Sequence, residues 1–449
     1  MLNPLPRDAS SQSPIRGRIS TLEDNEITIT ATVSGVALAQ RPVSLRRNLA
    51  WTLAGNVIYA GCQWGCLVAL SRVGNTEMVG QFALGLAIAN PVFLLSQLQL
   101  RSLQATDASH SEYRPGDYLA LRLLMTLLAL AVTAVVTIAA GYRHETARVI
   151  LFVAVAKACD SVTDVFYGHL QQYEDLPRIA RSMMMRGILS VSALTAAVWV
   201  THSAAMGALG WACAWAVVLG VYDARPRTHP VRLVWDWAAM RRLAVTAFPL
   251  GVVMMLLSLD TNIPRYIIAH DLGEGSLGLF AAVASLQAAG VVLVSAMGQT
   301  SSPRLARYYF LRDDRSFRSL FRKFLALAAL PGIVLVCVAW VAGDAVPGMI
   351  FGPAFSHQGT VFKWLSFSMA LWLVVSVLGY TATATRRIRF QPYALGLVAI
   401  TTWAMCAFAV PRYGIVGGAI ASATSAMVGC VLFTVGLLVP RRDSVRADI

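Results

Sequence analysis

Acidic residues are scarce in this sequence: 23 aspartates and glutamates stand against 37 lysines and arginines in 449 residues, and the four types together make only 13% of the chain. With 57% of residues hydrophobic, so little charge excludes an ordinary water-soluble globular protein. Cysteine is sparse too. The seven occur singly or as the pair Cys62/Cys66, all inside apolar runs, so they read as small packing residues and not as a disulfide or metal framework. No nucleophile–base constellation, metal-ligand spacing or glycine-rich phosphate loop is present. The expectation is a protein that is not an enzyme and takes no cofactor or metal.

What is present is length in apolar runs. A hydrocarbon core of about 30 Å needs roughly twenty residues of helix, and twelve runs qualify, near 48–71, 78–99, 118–141, 148–170, 183–202, 205–222, 244–266, 276–299, 324–344, 360–382, 391–410 and 415–438. Residues 1–44 lack such a core. They are polar and Ser/Thr-rich, with Arg7, Arg16, Arg18 and an acidic LEDNE patch, which predicts a disordered tail rather than a signal peptide, with ITITATVSGVALA as a short candidate for order. Placing the amino terminus in the cytoplasm puts 28 Lys/Arg in cytoplasmic segments, 4 outside (Arg72, Arg143, Arg148, Arg412) and 5 within spans. That asymmetry predicts both termini inside, and it accounts for the net charge of +14 without nucleic acid. The basic runs RPRTHPVR, RRIR and PRR sit at span ends, where they meet headgroups. The stretch SSPRLARYYFLRDDRSFRSLFRKF carries seven basic residues and, at helical spacing, Phe317, Leu320, Phe321 and Phe324, the pattern of an interfacial helix.

The runs divide into two sixes at the polar linker DARPRTHPVRLVWDWAAMRR, and the halves echo each other. Gly80-x-Phe82-Ala83 follows the first span and Gly278-x-Phe280-Ala281 the seventh. Gly207-x-x-Gly210-x-Ala212-x-Ala214 opens the sixth span and Gly414-x-x-Gly417-x-Ala419-x-Ala421 the twelfth. Offsets of 198 and 207 residues point to a duplicated six-helix unit. Six is even, so the repeats are parallel, related by an axis along the membrane normal, which suits alternating access about a central cleft. The predicted fold is therefore all-α and polytopic: a tail over 1–44, a six-helix bundle over 45–224, a linker over 225–242, a second bundle over 243–440 and a tail over 441–449.

The run RRNLAWTLAGNVIYAGCQWGCLVALSRVGNTEMVGQFALGLAIANPVFLLSQLQLRSLQATD, with DTNIPRYIIAHDLGEGSLGLFAA and RYGIVGGAIASATSA, resembles bacterial polysaccharide-biosynthesis flippases of the Wzx type, within the superfamily of multidrug and oligosaccharidyl-lipid exporters. The resemblance spans about 45–440. It implies a carrier of the bacterial inner membrane that moves polyprenyl-pyrophosphate-linked oligosaccharide from the inner to the outer leaflet. The partners it implies are that lipid-linked oligosaccharide, membrane lipids, and a polysaccharide polymerase with its chain-length machinery. Two rivals are weaker. A cation-coupled multidrug exporter of this fold commonly has an acidic residue in the first span, and none is here. A membrane transferase or ligase would need a large external loop with catalytic acids, whereas 345–359 has only Asp344 at its edge.

Polar groups inside the spans are the candidate site. Lys157, Asp160, Asp164, Gly168 and Gln171 follow spacings of three and four, so they form one helical face, and charges facing lipid would be costly. This face admits two explanations: a Lys157–Asp160 pair that pins the helix, or a water-lined path that continues to Gln171. Asn56, Tyr59 and Gln63 form a polar face on the first span, where Asn and Gln can equally join helices. Asp260, Asn262 and Arg265 surround Pro264, a residue expected to loosen the seventh span. Of the acidic residues, only Asp160, Asp164 and Asp260 fall inside spans, Asp344 standing at a span's edge, and those three are the candidates for coupling to a proton or cation. For a pyrophosphate carrier, Lys157 and Arg265 supply cations, while Asn56, Tyr59, Gln63 and Gln171 supply sugar contacts along the substrate path.

Overall fold

A computed structural model describes residues 45–106, 113–225, 231–387 and 390–438. The two tails, the ITITATVSGVALA stretch, the middle of the interhalf linker, the PRR cluster and part of the RRIR cluster lie outside these residues. Those described form one compact unit and, among them, no strand occurs. The first half comprises α1 (Leu45–Val73), α2 (Thr76–Gln97), the short α3 (Leu100–Thr106), α4 (Pro115–Ala139), α5 (His144–Gln172), α6 (Leu176–Thr201) and α7 (Ala204–Val218), which a wider turn extends to Asp223. The second comprises α8 (Trp237–Ser285), α9 (Ala288–Phe310), α10 (Asp314–Ala342), the short α11 (Ala345–Phe351), α12 (Gly359–Ala384), α13 (Gln391–Tyr413) and α14 (Ile415–Leu438).

Several helix starts are fixed locally. The side chains of Asn75, Asp175, Ser203, Asp236 and Asp313 each accept a backbone N–H of the turn that follows, satisfying donors a helix cannot pair for itself. The N–H groups of Ala239 and Ala238 hold the Asp236 carboxyl below the usual range, and Ser316 does the same for Asp313.

Ten of the described helices are long and apolar enough to cross a membrane by length and composition. The two remaining crossings have physical reasons for escaping that criterion. One is α5, whose interior charges lower its hydropathy. The other is hidden within α8, 49 residues long, whose backbone leaves helical angles at Gly273 (φ 82°, ψ 173°). Here the chain doubles back: Ile268 and Phe280, on opposite sides of Gly273, both lie against Gly418 of α14. The seventh crossing thus ends at Gly273, and the eighth runs from there through α9, with a bend at Leu286–Gln287. The helix passes through both Pro249 and Pro264, and its non-helical angles are at Gly273.

Only glycine adopts the Gly273 conformation without strain, which for another residue is of the order of 1–3 kcal/mol. Gly273→Ala is expected to lower the thermal midpoint in detergent, whereas Gly275→Ala, where an added Cβ has its nearest neighbour at 3.7 Å, is expected to leave it unchanged.

Both sequence echoes have a packing role. In α7 and α14, Gly210 and Gly417 press onto the backbone carbonyls of Ala193 and Ala409 in the preceding helices, so each half ends in an equivalent close hairpin. The other pair meets across the two halves. A Cβ on Gly80 would overlap the Glu274 carbonyl, and one on Gly278 would overlap that of Thr76.

Candidate functional site

The face of α5 predicted from its spacing is turned into protein, and other helices bring cations to it. Asp160 Oδ1 is 2.9 Å from an Arg186 guanidinium nitrogen on α6, and Lys157 Nζ is 3.9 Å from Asp160 Oδ2. One to two turns nearer the end of α5, Asp164 is shared by Arg122 of α4, at 3.1 Å, and Arg101 of α3, at 3.4 Å. Arg101 Nε also donates to Gln171 Oε1 at 3.3 Å. The stripe from Lys157 to Gln171 therefore carries cation contacts over about 21 Å of helix, at 1.5 Å per residue. Asp164, which a lone Lys157–Asp160 pin would leave without a partner, has two.

Arg186 is 4% exposed and Arg122 is fully buried. Aromatic rings surround the Arg186 guanidinium: Trp215 lies 4.5 Å from it, Tyr59 5.1 Å and Tyr167 5.7 Å, each to the ring centroid. These rings are themselves tied, Trp215 Nε1 donating to Ser190 Oγ at 2.6 Å and Tyr167 Oη to Ser182 Oγ at 2.7 Å. A guanidinium surrounded by aromatic rings is held without its donors being used up. Lys157 Nζ approaches the same Trp215 ring at 5.7 Å. Arg101, Arg122, Lys157 and Arg186 face two carboxylates, Asp160 and Asp164, leaving two positive charges in excess. Asp223 faces both Arg186 and Arg178, so counting it together with Arg178 leaves the excess unchanged. Such an excess favours an anion over a cation.

Of the polar residues on α1, only Tyr59 joins this cluster. Asn56 is exposed and donates back to the Thr52 carbonyl at 2.8 Å, and Gln63 is half-buried with its amide nitrogen unpaired. In the second half, Arg265 donates to Asn262 Oδ1 at 2.9 Å, and Asn262 in turn to the Ser258 carbonyl at 2.7 Å. Asp260 is 5% exposed and accepts from Thr402 Oγ1 of α13. Among the described residues it has no ion-pair partner. Its environment is thus unlike that of Asp160 and Asp164, both of which are neutralised by cations.

The halves meet along two seams that differ. On one side, α2 follows α8 throughout: Tyr266 Oη donates to the Ala87 carbonyl at 2.5 Å, Gly251 lies against Leu95, and Leu98, Leu100, Tyr118 and Leu119 pack on Met240, Leu243 and Ala247. On the other side, every polar contact described from α1 to the second half falls in its last three turns. Trp64 Nε1 donates to Ser285 Oγ at 3.2 Å, and Arg72 donates to the carbonyls of Ile350, at 2.9 Å, and Met349. Trp64 also meets Phe351 edge-on. Earlier on α1, Leu53, Asn56, Val57 and Ile58 are exposed. Among the described residues, α1 is therefore latched to the second half where it finishes, and the seam beside it is unlatched toward the end where it begins.

The residues that the sequence pattern did not single out are Arg101, Arg122, Arg186, Trp215 and Thr402. Arg122 and Arg186 carry the same signal as Lys157, a basic residue within an apolar run.

Residues 45–309 match the profile of a family described as polysaccharide biosynthesis protein. Capsular polysaccharide biosynthesis protein CapF of Staphylococcus aureus is 24% identical over 392 residues, which cover 86% of this chain and 98% of that protein. Among solved structures, the lipid II flippase MurJ in an inward closed conformation aligns with a TM-score of 0.70 at 12% identity over 87% of both chains. An inward-facing multidrug resistance MATE family transporter of the MOP superfamily aligns with 0.61 at 13% identity, over 86% of this chain and 94% of that one. At such identities these two likenesses concern the fold.

Proposed function

This chain belongs to the polysaccharide biosynthesis protein family, and we propose that it is a flippase that carries a polyprenyl-pyrophosphate-linked oligosaccharide from the cytoplasmic to the outer leaflet of the bacterial inner membrane, by ion-coupled alternating access. The observation that carries this is the excess of two positive charges around Asp160 and Asp164. A pyrophosphate is a multiply charged anion that cannot enter hydrocarbon alone. Arginines whose counter-charges are carboxylates can exchange those carboxylates for phosphate oxygens at little electrostatic cost. The same excess repels a cationic drug.

The ladder has an order. With both termini in the cytoplasm, Arg101 and Arg122 are nearest that side and Arg186 and Lys157 lie deeper, so a pyrophosphate entering from the inner leaflet meets the Asp164 pairs first. Tyr59, Asn56 and Gln63 on α1 and Gln171 on α5 offer hydroxyl and amide groups to sugars. The isoprenoid tail stays in lipid, passing through the unlatched seam beside α1. Arg265 is a second-half cation for the passage outward, and Asp260 is the coupling group. A polysaccharide polymerase with its chain-length machinery would receive the product.

The test is reconstitution into vesicles of one orientation with a fluorescent polyprenyl-pyrophosphate oligosaccharide, scored by exposure to an impermeant glycosidase added outside. The expected result is protein-dependent exposure that the same polyprenol bearing a neutral head in place of pyrophosphate does not compete. Expulsion of a cationic dye with no movement of the lipid would overturn the reading.

A further inference from the structure

The contact between Gly80 and Gly278 is related to itself by the internal repeat. Adding 198 residues takes Thr76 to Glu274 and Gly80 to Gly278. A Cβ on Gly80 would strike the Glu274 carbonyl and come within 3.0 Å of the Gly278 nitrogen, while one on Gly278 would strike the Thr76 carbonyl and come within 3.0 Å of the Gly80 nitrogen. Each half thus presents the same four-residue step, and two backbones touch where the repeat axis must pass. In a parallel repeat a central cleft is arranged about that same axis, which puts this contact at one end of it.

One feature breaks the symmetry. Glu274 replaces the threonine of the first half, and its carboxylate reaches back across the joint to accept Gln81 Nε2 at 2.9 Å and Thr146 Oγ1. Gln81 is buried and Thr146 fully so. The glycines allow an approach without interlocked side chains, and the tie is made of hydrogen bonds that water can replace once the joint parts. Gly273, one residue before Glu274, gives the eighth crossing a sharp start there.

We propose that the Gly80–Gly278 crossing, tied by Glu274 to α2 and α5, is the seal over the outer exit, and that it separates in each transport cycle. This rests on the reading of the protein as an alternating-access carrier. Ser285, which lies about 10 Å deeper than Gly278 at 1.5 Å per residue, is bonded to Trp64 beneath the seal and reports its opening.

The test follows labelling of Ser285→Cys by an impermeant maleimide applied from outside, read at that position by peptide mass spectrometry, so it requires no substrate. In a chain that also carries Gln81→Cys and Glu274→Cys, joining those two thiols with a short bifunctional thiosulfonate should prevent labelling, and cleaving the bridge with reductant should restore it. Gly80→Val, which wedges the joint, should raise labelling about tenfold by shifting the population toward the open state. Equal labelling with the bridge formed and cleaved would overturn the proposal, as would failure of positions 81 and 274 to bridge. A seal that behaves as expected in a protein that moves no lipid-linked oligosaccharide would refute the substrate and leave the gate standing.

Discussion

Exchange of Arg186 for leucine is expected to cut delivery of lipid-linked oligosaccharide to the outer leaflet to about 1% or less of the unsubstituted rate. Two charge-assisted hydrogen bonds to phosphate, each about 1.5–3 kcal/mol, account for that loss at 1.4 kcal/mol per factor of ten. Arg186 is chosen over Lys157 because it lies 2.9 Å from Asp160 where Lys157 lies at 3.9 Å, and because three aromatic rings surround it. The single variant also weakens the neutralisation of Asp160, which threatens folding by itself, since removing one partner of a buried pair costs about 3–5 kcal/mol. Arg186→Leu with Asp160→Asn removes that complication. The double variant should elute from size exclusion as the unsubstituted protein does and still fail to flip. Arg186→Lys should recover a small part of the rate, since it restores the charge without the planar fork. If the double variant flips at full rate, Arg186 serves only to hold α5 and α6 together, and the phosphate site must be sought at Arg122 and Arg101.

That Arg186 lay outside the sequence pattern has a physical cause. The α5 stripe is legible because its members share one helix, where a period of 3.6 residues reports directly on facing direction. Arg101, Arg122 and Arg186 come from three other helices, and their convergence on α5 is a matter of tertiary packing that no local spacing encodes. The crossings were legible for the opposite reason: span length is set by the bilayer, so even α5, too charged for a hydropathy criterion, was recognisable from what surrounds its charges. The echo of Gly80 and Gly278 was visible as composition. That the two copies touch each other could not be read from it, because a repeat specifies that two segments are alike and leaves open whether they meet. Pro264 removes one backbone hydrogen bond from the seventh crossing, yet the helix continues through it, and the non-helical angles are at Gly273.

Asp260→Asn is expected to lower flipping at least about tenfold and, more tellingly, to make what remains indifferent to pH and to a sodium gradient, a loss of the order of the 1–3 kcal/mol typical of coupling between sites. The argument rests on what surrounds the group. Asp160 and Asp164 have arginine partners, so a proton or cation would compete there with fixed guanidinium charges. Asp260, equally within the span region, is 5% exposed and has only the Thr402 hydroxyl beside it among the described groups that bond its side chain. A buried carboxylate with no fixed counter-charge is costly when ionised and empty, which makes a mobile cation or a proton a strong partner. Its setting on α8, between the first-half seam and α13, gives that occupancy a way to alter how the halves pack. Asparagine preserves the volume and the oxygen that accepts from Thr402, so folding should be retained, as judged by an unchanged thermal midpoint. The decisive readout is the response to gradients, which a packing defect would not erase. A variant that is slower but still accelerates with the gradient would remove Asp260 from coupling, and the driving ion would then have to be sought at Asp160 and Asp164 on α5.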